Sequence, residues 1–383
     1  MRRIYADHNA TTPLDPQVLD AMLPYLGEHF GNASSVHIYG REARAAIDDA
    51  RVRLANLLGA QEGEIVFTGG GTEADNTVIF GVRPGHIVTS SIEHHAVLNA
   101  CQQHPDVTYL PVSRDCLVDP GDLKKAIRKA ESARRRGVGA ANTVLVSVMT
   151  ANNETGTVQP IKELAAISRE CGVPFHTDAV QAFGKMPVNV DNVDLLTISA
   201  HKFNGPKGAG VLYIRRGTKL DPLLYGGSHE NDRRAGTENV AAIVGMAKAA
   251  ELAIVKMPEE QCRLFGLSEK LAAGIIERIS GVHRNGHPKH RIGNTINFSF
   301  EGCEEEGLLL GLDLEGIAVS SGSACAVGSL EPSHVLKAMG LPHELARAAV
   351  RFSFGTGNTA EDVPVILDAL TRVVERLRSF ARV

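Results

Sequence analysis

Lys202 stands in a segment whose composition suggests chemistry. It lies in SAHKFNGPKG (199–208), directly after an apolar run that is typical of a buried strand. Parallel sheets place their ligands beyond the carboxyl ends of their strands. A lysine in such a place can attach covalently to an aldehyde when partial burial lowers its pKa. Ser199 and His201 flank it and could bind phosphate, whereas the simpler interpretation is an exposed lysine in a surface loop.

A glycine-rich turn is a second candidate ligand site. The sequence TGGGTEADN (68–76) follows a candidate strand and opens a helical pattern. Glycines allow the backbone to approach a ligand closely, and a helix N-terminus presents free N–H groups to an anion. Thr72 stands where its hydroxyl could cap the helix and join in. A plain capped turn is the alternative, and the segment matches neither of the common glycine motifs for nucleotides.

Asp178 ends an apolar strand within PFHTDAVQ (174–181). A carboxylate in that place needs a partner, because burying an unpaired charge is expensive. A pyridinium nitrogen is such a partner, and the pairing keeps the ring protonated as an electron sink. The alternative is an aspartate that caps the following helix. The order of glycine turn, strand-end Asp178 and strand-end Lys202 is what a fold-type I pyridoxal phosphate enzyme needs.

Cys325 differs from the other cysteines because nearly all of its neighbours in SSGSACAVGS (320–329) are small. Such a segment predicts a flexible loop, and an exposed cysteine there suits a nucleophile that must travel. A free surface cysteine in a tight turn is the alternative. The remaining five are scattered without a CxxC pair, so we expect neither disulfides nor a zinc or iron–sulfur site.

His94 follows a candidate strand in SSIEHHAVL (90–98). It could stack over a cofactor ring and shuttle protons, because histidine titrates near neutrality. It could equally be a surface histidine at the start of a helix.

Apolar, β-branched runs alternate with helical patterns through the first two-thirds of the chain, which predicts an α/β fold with a mainly parallel, seven-stranded sheet flanked by helices. After about residue 226 the pattern indicates a smaller α+β domain, with helices at 237–257 and 267–279. We expect a cofactor-binding domain over 14–250 and a small domain formed by 1–13 and 251–383. The seven candidate strands are Glu64–Thr68, His86–Ser90, Val107–Val112, Thr143–Thr150, Pro174–Asp178, Leu195–Ala200 and Gly210–Ile214.

Composition disfavours other classes of protein. The net charge is −4 in 383 residues, which does not suggest binding to nucleic acid or to an acidic membrane. No apolar run follows the N-terminal arginines, and the most apolar stretch, 240–257, carries three charged residues. We therefore expect a cytoplasmic protein that does not contact membranes. The basic segment 124–139 is most simply a solvated helix face followed by a surface loop.

These motifs resemble those of cysteine desulfurases of the NifS/IscS type, in the class V aminotransferase superfamily. The resemblance covers essentially the full length, and its most specific part surrounds Cys325. It is carried by the segments IYADHNATTPLDP, FGNASSVH, TGGGTEADN, ANNETGTVQP, HTDAVQ, SAHKFNGPKG, RRAGTENV, SSGSACAVGSLEPSHVL and RFSFG.

The resemblance implies pyridoxal 5'-phosphate as cofactor and a role for each matching residue. Lys202 would bind the cofactor covalently, His94 would stack on its ring, and Asp178 would pair with the ring nitrogen. Other residues would hold the ring or the phosphate: Gly71, Thr72, Asn153, Gln181, Ser199, His201 and, from the neighbouring subunit of a homodimer, Thr237. Arg351 would grip the substrate carboxylate, assisted by Asn32.

The implied reaction converts L-cysteine to L-alanine and leaves the sulfur as a persulfide on Cys325, for transfer to an iron–sulfur scaffold or another acceptor. No resident metal is implied, although Cys325 could serve as a transient cluster ligand. Selenocysteine lyase or another class V lyase or aminotransferase is the nearest alternative, and an iron–sulfur binding protein is the alternative outside enzymes. Departures from the family pattern are Ala33 in place of proline, Thr356 in place of arginine, and an apparent insertion at 132–139.

Overall fold

Seven strands form the main sheet of this computed structural model, which describes residues 2–135, 142–321 and 332–380. The order is β2-β8-β7-β6-β5-β3-β4, and β8 alone runs antiparallel to its neighbours. The predicted α/β class with a mainly parallel seven-stranded sheet is therefore confirmed. The strands are β2 (Ile65–Thr68), β3 (His86–Ser90), β4 (Val107–Leu110), β5 (Thr143–Ser147), β6 (Phe175–Asp178), β7 (Leu195–Ser199) and β8 (Gly210–Ile214).

Helices cover both faces of this sheet, which explains the continuous apolar strands. Every residue of β2, β6, β7 and β8 is buried. Helix α2 (Ile38–Leu58) shows how a helix joins this core: its residues Ala43, Ile47, Leu54 and Leu58 recur at helical spacing and are fully buried. The other helices of the first two-thirds are α1 (Pro16–Leu26), α3 (Gly71–Gly81), α4 (His95–Cys101), α5 (Pro120–Arg135) and α6 (Ile161–Glu170).

A second core contains the remaining strands. An antiparallel sheet has the order β12-β10-β9, and the N-terminal strand β1 pairs in parallel with β11. Ile4 and Ala6 are buried in this second core, so the first residues pack with the C-terminal part. The elements are β1 (Ile4–Tyr5), β9 (Val282–Asn285), β10 (Thr295–Phe300), β11 (Ile317–Ala318), β12 (Ala349–Ser353), α8 (Glu305–Leu314), α9 (His334–Ala338), α10 (His343–Ala346) and α11 (Asp362–Phe380).

One continuous helix, α7 (Val240–Arg278), joins the two cores. The predicted pair of helices at 237–257 and 267–279 was wrong. Pro258 lies inside α7 on an exposed part of the helix, where the loss of one backbone hydrogen bond is tolerated. The first part of α7 packs into the large core and its last part into the second core. The domain boundaries proposed from the sequence remain a prediction.

Two predicted features fall wholly or partly outside the described residues. The basic segment begins in α5, whereas residues 136–141 are not described. Cys325 also lies outside the described residues. Among the helices that the structure does describe, none is both long enough and apolar enough to cross a bilayer.

Candidate active site

A cavity of about 290 Å³ opens at the carboxyl ends of the parallel strands. Strands β6 and β7 end there at Asp178 and Ser199, and α3 begins there at Gly71. Most of the residues that sequence reasoning singled out line this cavity: Gly71, Thr72, His94, Asn153, Asp178, Gln181, Ser199, His201, Lys202 and Arg351. They come from distant parts of the chain, and the convergence of parallel strand ends is what brings them together.

Lys202 lies in a single 3₁₀ turn directly after β7. Its Nζ donates hydrogen bonds to the carbonyl oxygens of Asn9 at 2.6 Å and Ala10 at 2.8 Å. Two backbone acceptors from the N-terminal segment thus hold the amine at the cavity wall.

The N-terminus of α3, which also lines the cavity, suits an anion. The backbone at Gly70 has φ +145°, a conformation that favours glycine, and α3 has no side-chain cap at its N-terminus. A Cβ on Gly71 would lie 3.0 Å from Val180 Cγ2, so glycine also provides room. Thr72 is the second residue of α3 and not its N-cap, because the N-cap is Gly70 and the helix begins two residues earlier than predicted.

Asp178 is buried at the floor of the cavity, and one of its oxygens accepts a hydrogen bond from Val180 N at 2.8 Å. Burial raises its pKa to about 6, although the hydrogen bond from Val180 and the charge of Lys202 oppose this shift. Burial also raises the pKa of the neighbouring Asp75, whose Oδ1 has no hydrogen-bond partner among the described residues. A cation bound here would relieve both penalties.

His94 caps α4, and its Nδ1 accepts a hydrogen bond from Ala96 N at 3.1 Å. Burial, followed by the charges of Lys202, His95 and His334, lowers its pKa to about 4. The expectation that His94 titrates near neutrality was therefore wrong. The imidazole is neutral at pH 7 and offers a flat, uncharged ring to the cavity.

Arg351 is 2% exposed and lies on β12, on the side of the cavity that faces the second core. Its guanidinium donates to Asp7 Oδ1 at 2.6 Å and to the Asn153 carbonyl at 3.0 Å. Its Nε is buried without a hydrogen-bond partner among the described residues. Asp7 and Asn153 thus hold the guanidinium in place, while its Nε donor has no acceptor among the described residues.

Two predicted site residues do not line the cavity of their own chain. Asn32 is exposed, and its Oδ1 accepts a hydrogen bond from Ser34 N at 2.9 Å. Thr237 is exposed in the loop before α7. The roles assigned to both residues therefore remain predictions.

Sequence reasoning missed several residues of the site, of which Asp7 and Asn9 bear most directly on its geometry. The only signal was their position in the N-terminal motif IYADHNATTPLDP. Two buried glutamates were also missed. Glu93 accepts hydrogen bonds from Ser90 Oγ and Met149 N, and Glu154 accepts one from Ser333 Oγ.

The residues present fit pyridoxal 5'-phosphate. The lysine suits the aldehyde of this group, and the buried carboxylate suits its ring nitrogen. The histidine ring could cover the ring face. The uncapped N-terminus of α3, with Ser199 nearby, suits the phosphate.

Comparisons with known proteins agree with this site. The family model for aminotransferase class-V matches residues 4–366. A cysteine desulfurase IscS of Dictyoglomus turgidum is 52% identical, over 99% of this chain and 96% of its own length. A cysteine desulfurase IscS of Methanosarcina thermophila is 48% identical, over 99% of this chain and 94% of its own length. A solved NifS-like protein of Rickettsia africae superposes with a TM-score of 0.89 at 31% identity, covering 98% of this chain and 100% of its own.

The chain therefore belongs to the class-V aminotransferases, which depend on pyridoxal phosphate. Within them it belongs to the cysteine desulfurases of the NifS/IscS type.

Glu93 makes protein stability depend on pH. Burial raises its pKa from 4.5 to about 8, so between these values the unfolded chain loses a proton that the folded chain keeps. Stability is therefore expected to fall as the pH rises through this window. Glu93→Gln should flatten the fall in melting temperature between pH 5 and 8, measured by scanning calorimetry, whereas Glu306→Gln on the surface should not. An equal slope in Glu93→Gln would contradict the assignment.

Proposed function

We propose that this chain releases L-alanine from L-cysteine and passes the sulfur, as a persulfide on Cys325, to an acceptor for iron–sulfur cluster assembly. The observation that carries the proposal is the convergence of Lys202, Asp178, the N-terminus of α3 and Arg351 on one cavity. The names of the relatives support the choice of substrate, since they are cysteine desulfurases.

The bound cofactor would supply an electron sink for the carbon skeleton of the substrate. The N-terminus of α3, with Ser199 and His201, would bind its phosphate. Asp178 would pair with the ring nitrogen, and Gln181 would bind the ring hydroxyl. His94 would cover the ring without adding charge. Lys202 would transfer the proton at the substrate α-carbon, because its amine lies at the cavity wall.

Arg351 would bind the substrate carboxylate. The guanidinium is buried and already oriented by Asp7, so little side-chain entropy is lost when the carboxylate arrives. Among the described residues, its buried Nε has no hydrogen-bond partner. The family pattern has a second arginine at the position of Thr356. Because this chain has threonine there, Arg351 is the better candidate for binding the carboxylate.

The sulfur step balances without an external oxidant. The Cys325 thiolate attacks the substrate sulfur, so that an S–S bond forms as the substrate C–S bond breaks. The electron pair of that bond goes to carbon, which is then protonated to give alanine. The described residues on both sides of the segment contact the site: Ser320 pairs with the Arg351 backbone, and Ser333 with Glu154.

An exposed apolar patch supports the proposed homodimer. It comprises Leu26 at the end of α1 and the nearby segment Phe30–Tyr39, in which Val36 is 88% exposed and Phe30 72%. Apolar patches of this kind mark contact surfaces on proteins. Asn32 lies within the patch, so a partner subunit seated there would also cover it.

Cys325→Ser is expected to abolish sulfide release. With L-cysteine and dithiothreitol, the variant should lose alanine and sulfide production by about 100-fold or more, because its nucleophile is gone. Cys262→Ser is the matched control, since Cys262 is an exposed cysteine on α7, outside the candidate site. Unchanged activity in Cys325→Ser would overturn the proposed role of this residue.

Val36→Glu is expected to weaken the dimer, because it places a charge within a desolvated interface. Light scattering coupled to size exclusion should then report a monomer mass at micromolar concentration. Leu314→Glu changes an apolar residue on α8 that is 75% exposed, and it should leave the mass unchanged. A monomer mass for the intact protein, or a dimer mass for Val36→Glu, would contradict the proposed interface.

A further inference from the structure

Lys185 is a half-buried lysine that the proposed mechanism does not use. It lies in the turn that follows β6, one residue after Gly184. Gly184 has φ +74°, and a Cβ there would lie 3.0 Å from Ala253 Cβ and 3.2 Å from Phe203 Cβ. This close packing fixes where the Lys185 backbone stands relative to α7 and to the segment after β7.

The Lys185 ammonium contacts a cofactor-site residue. Its Nζ donates a hydrogen bond to Gln181 Oε1 at 2.8 Å. Among the described residues, no carboxylate forms an ion pair with it. Gln181 Nε2 in turn donates to the Asn9 carbonyl at 2.9 Å. The Asn9 carbonyl also accepts the hydrogen bond from Lys202. Lys185, Gln181, Asn9 and Lys202 therefore form one hydrogen-bonded chain along the cavity wall.

The contact with Lys185 and the contact with the Asn9 carbonyl favour the same direction of the Gln181 amide. A lysine ammonium has three donors and no acceptor, so only the amide oxygen can face Lys185 while its amine is charged. The amide nitrogen must then point away from Lys185, and it carries two N–H donors. One of them goes to Asn9, and the other is available to an acceptor in the cavity.

We propose that Lys185 is a positioning residue, which turns the Gln181 amide so that its nitrogen, and not its oxygen, faces the bound cofactor. This inference rests on the proposed cofactor site. A donor at that place favours a deprotonated ring oxygen, whereas an amide oxygen would favour a protonated one. Lys185 would thereby bias the protonation state of the cofactor without contacting it.

The surroundings of Lys185 disfavour its charged form, which indicates that a specific contact keeps the side chain in this place. Burial, and then the charges of Lys202 and Arg351, lower its pKa to about 7. Lys185 also borders a second cavity of about 430 Å³, which His8, Glu260 and Arg263 line as well. Lysines that make no specific contact usually extend to solvent and avoid this penalty.

The test is a pH titration of the absorption spectrum of the protein loaded with pyridoxal phosphate. Lys185→Met removes the ammonium at similar length, and the midpoint should rise by about 0.5 pH unit or more because the ammonium no longer holds the Gln181 donor toward the ring oxygen. Lys185→Arg keeps the donors and should restore most of the midpoint. Lys256→Met is the control, because Lys256 lines the same second cavity but pairs with Asp15.

A double variant separates positioning from a direct effect of charge. If Lys185 acts through the amide, Lys185→Met should add no further shift in a Gln181→Leu background. A shift of undiminished size in that background, or an unchanged midpoint in Lys185→Met alone, would overturn the proposal. Absence of any cofactor absorption band in the intact protein would instead overturn the proposed function.

Discussion

The site depends on how two cations that line one cavity, the buried Arg351 and the half-buried Lys202, obtain acceptors. Leaving the buried guanidinium without a partner would cost several kcal/mol. The N-terminal segment meets this need: the carbonyls of Asn9 and Ala10 bind Lys202, and the Asp7 carboxylate binds Arg351. The same segment leads from β1 in the second core to Thr12, which hydrogen-bonds the His201 carbonyl beside the large core. It therefore joins the two cores at the point where the chemistry takes place.

Burial then sets the charge of each group around the cavity. His94 is neutral because burial and neighbouring positive charges lower its pKa, whereas the pKa values of Asp178 and Asp75 are raised. A cationic ring nitrogen would reverse the penalty at Asp178, so binding of the proposed cofactor and ionisation of this carboxyl favour each other. The same low dielectric makes the contact between Lys185 and Gln181 strongly directional.

Much of the fold and the main site residues could be predicted from the sequence, because reactive side chains directly follow apolar strands. Lys202 and Asp178 are found in this way, since strand ends converge in a parallel sheet. The pairing of Asp7 with Arg351 could not be predicted, because 344 residues separate them and no local pattern records the contact. The predicted N-cap at Thr72 was wrong because the backbone of Gly70 lets α3 begin two residues earlier. Nothing in the sequence showed that α7 continues through Pro258.

The central claim is that Lys202, and not Lys185 close beside it, carries the cofactor. Borohydride reduction of the loaded protein makes the bond between cofactor and lysine permanent, and peptide mass spectrometry then locates the pyridoxyl group. The account predicts one modified peptide, with the added mass on Lys202, because Lys202 lines the cavity with Asp178 and the N-terminus of α3, whereas Lys185 reaches that site only through Gln181. Modification of Lys185 or of a surface lysine in its place, with Lys202 unmodified, would contradict the account.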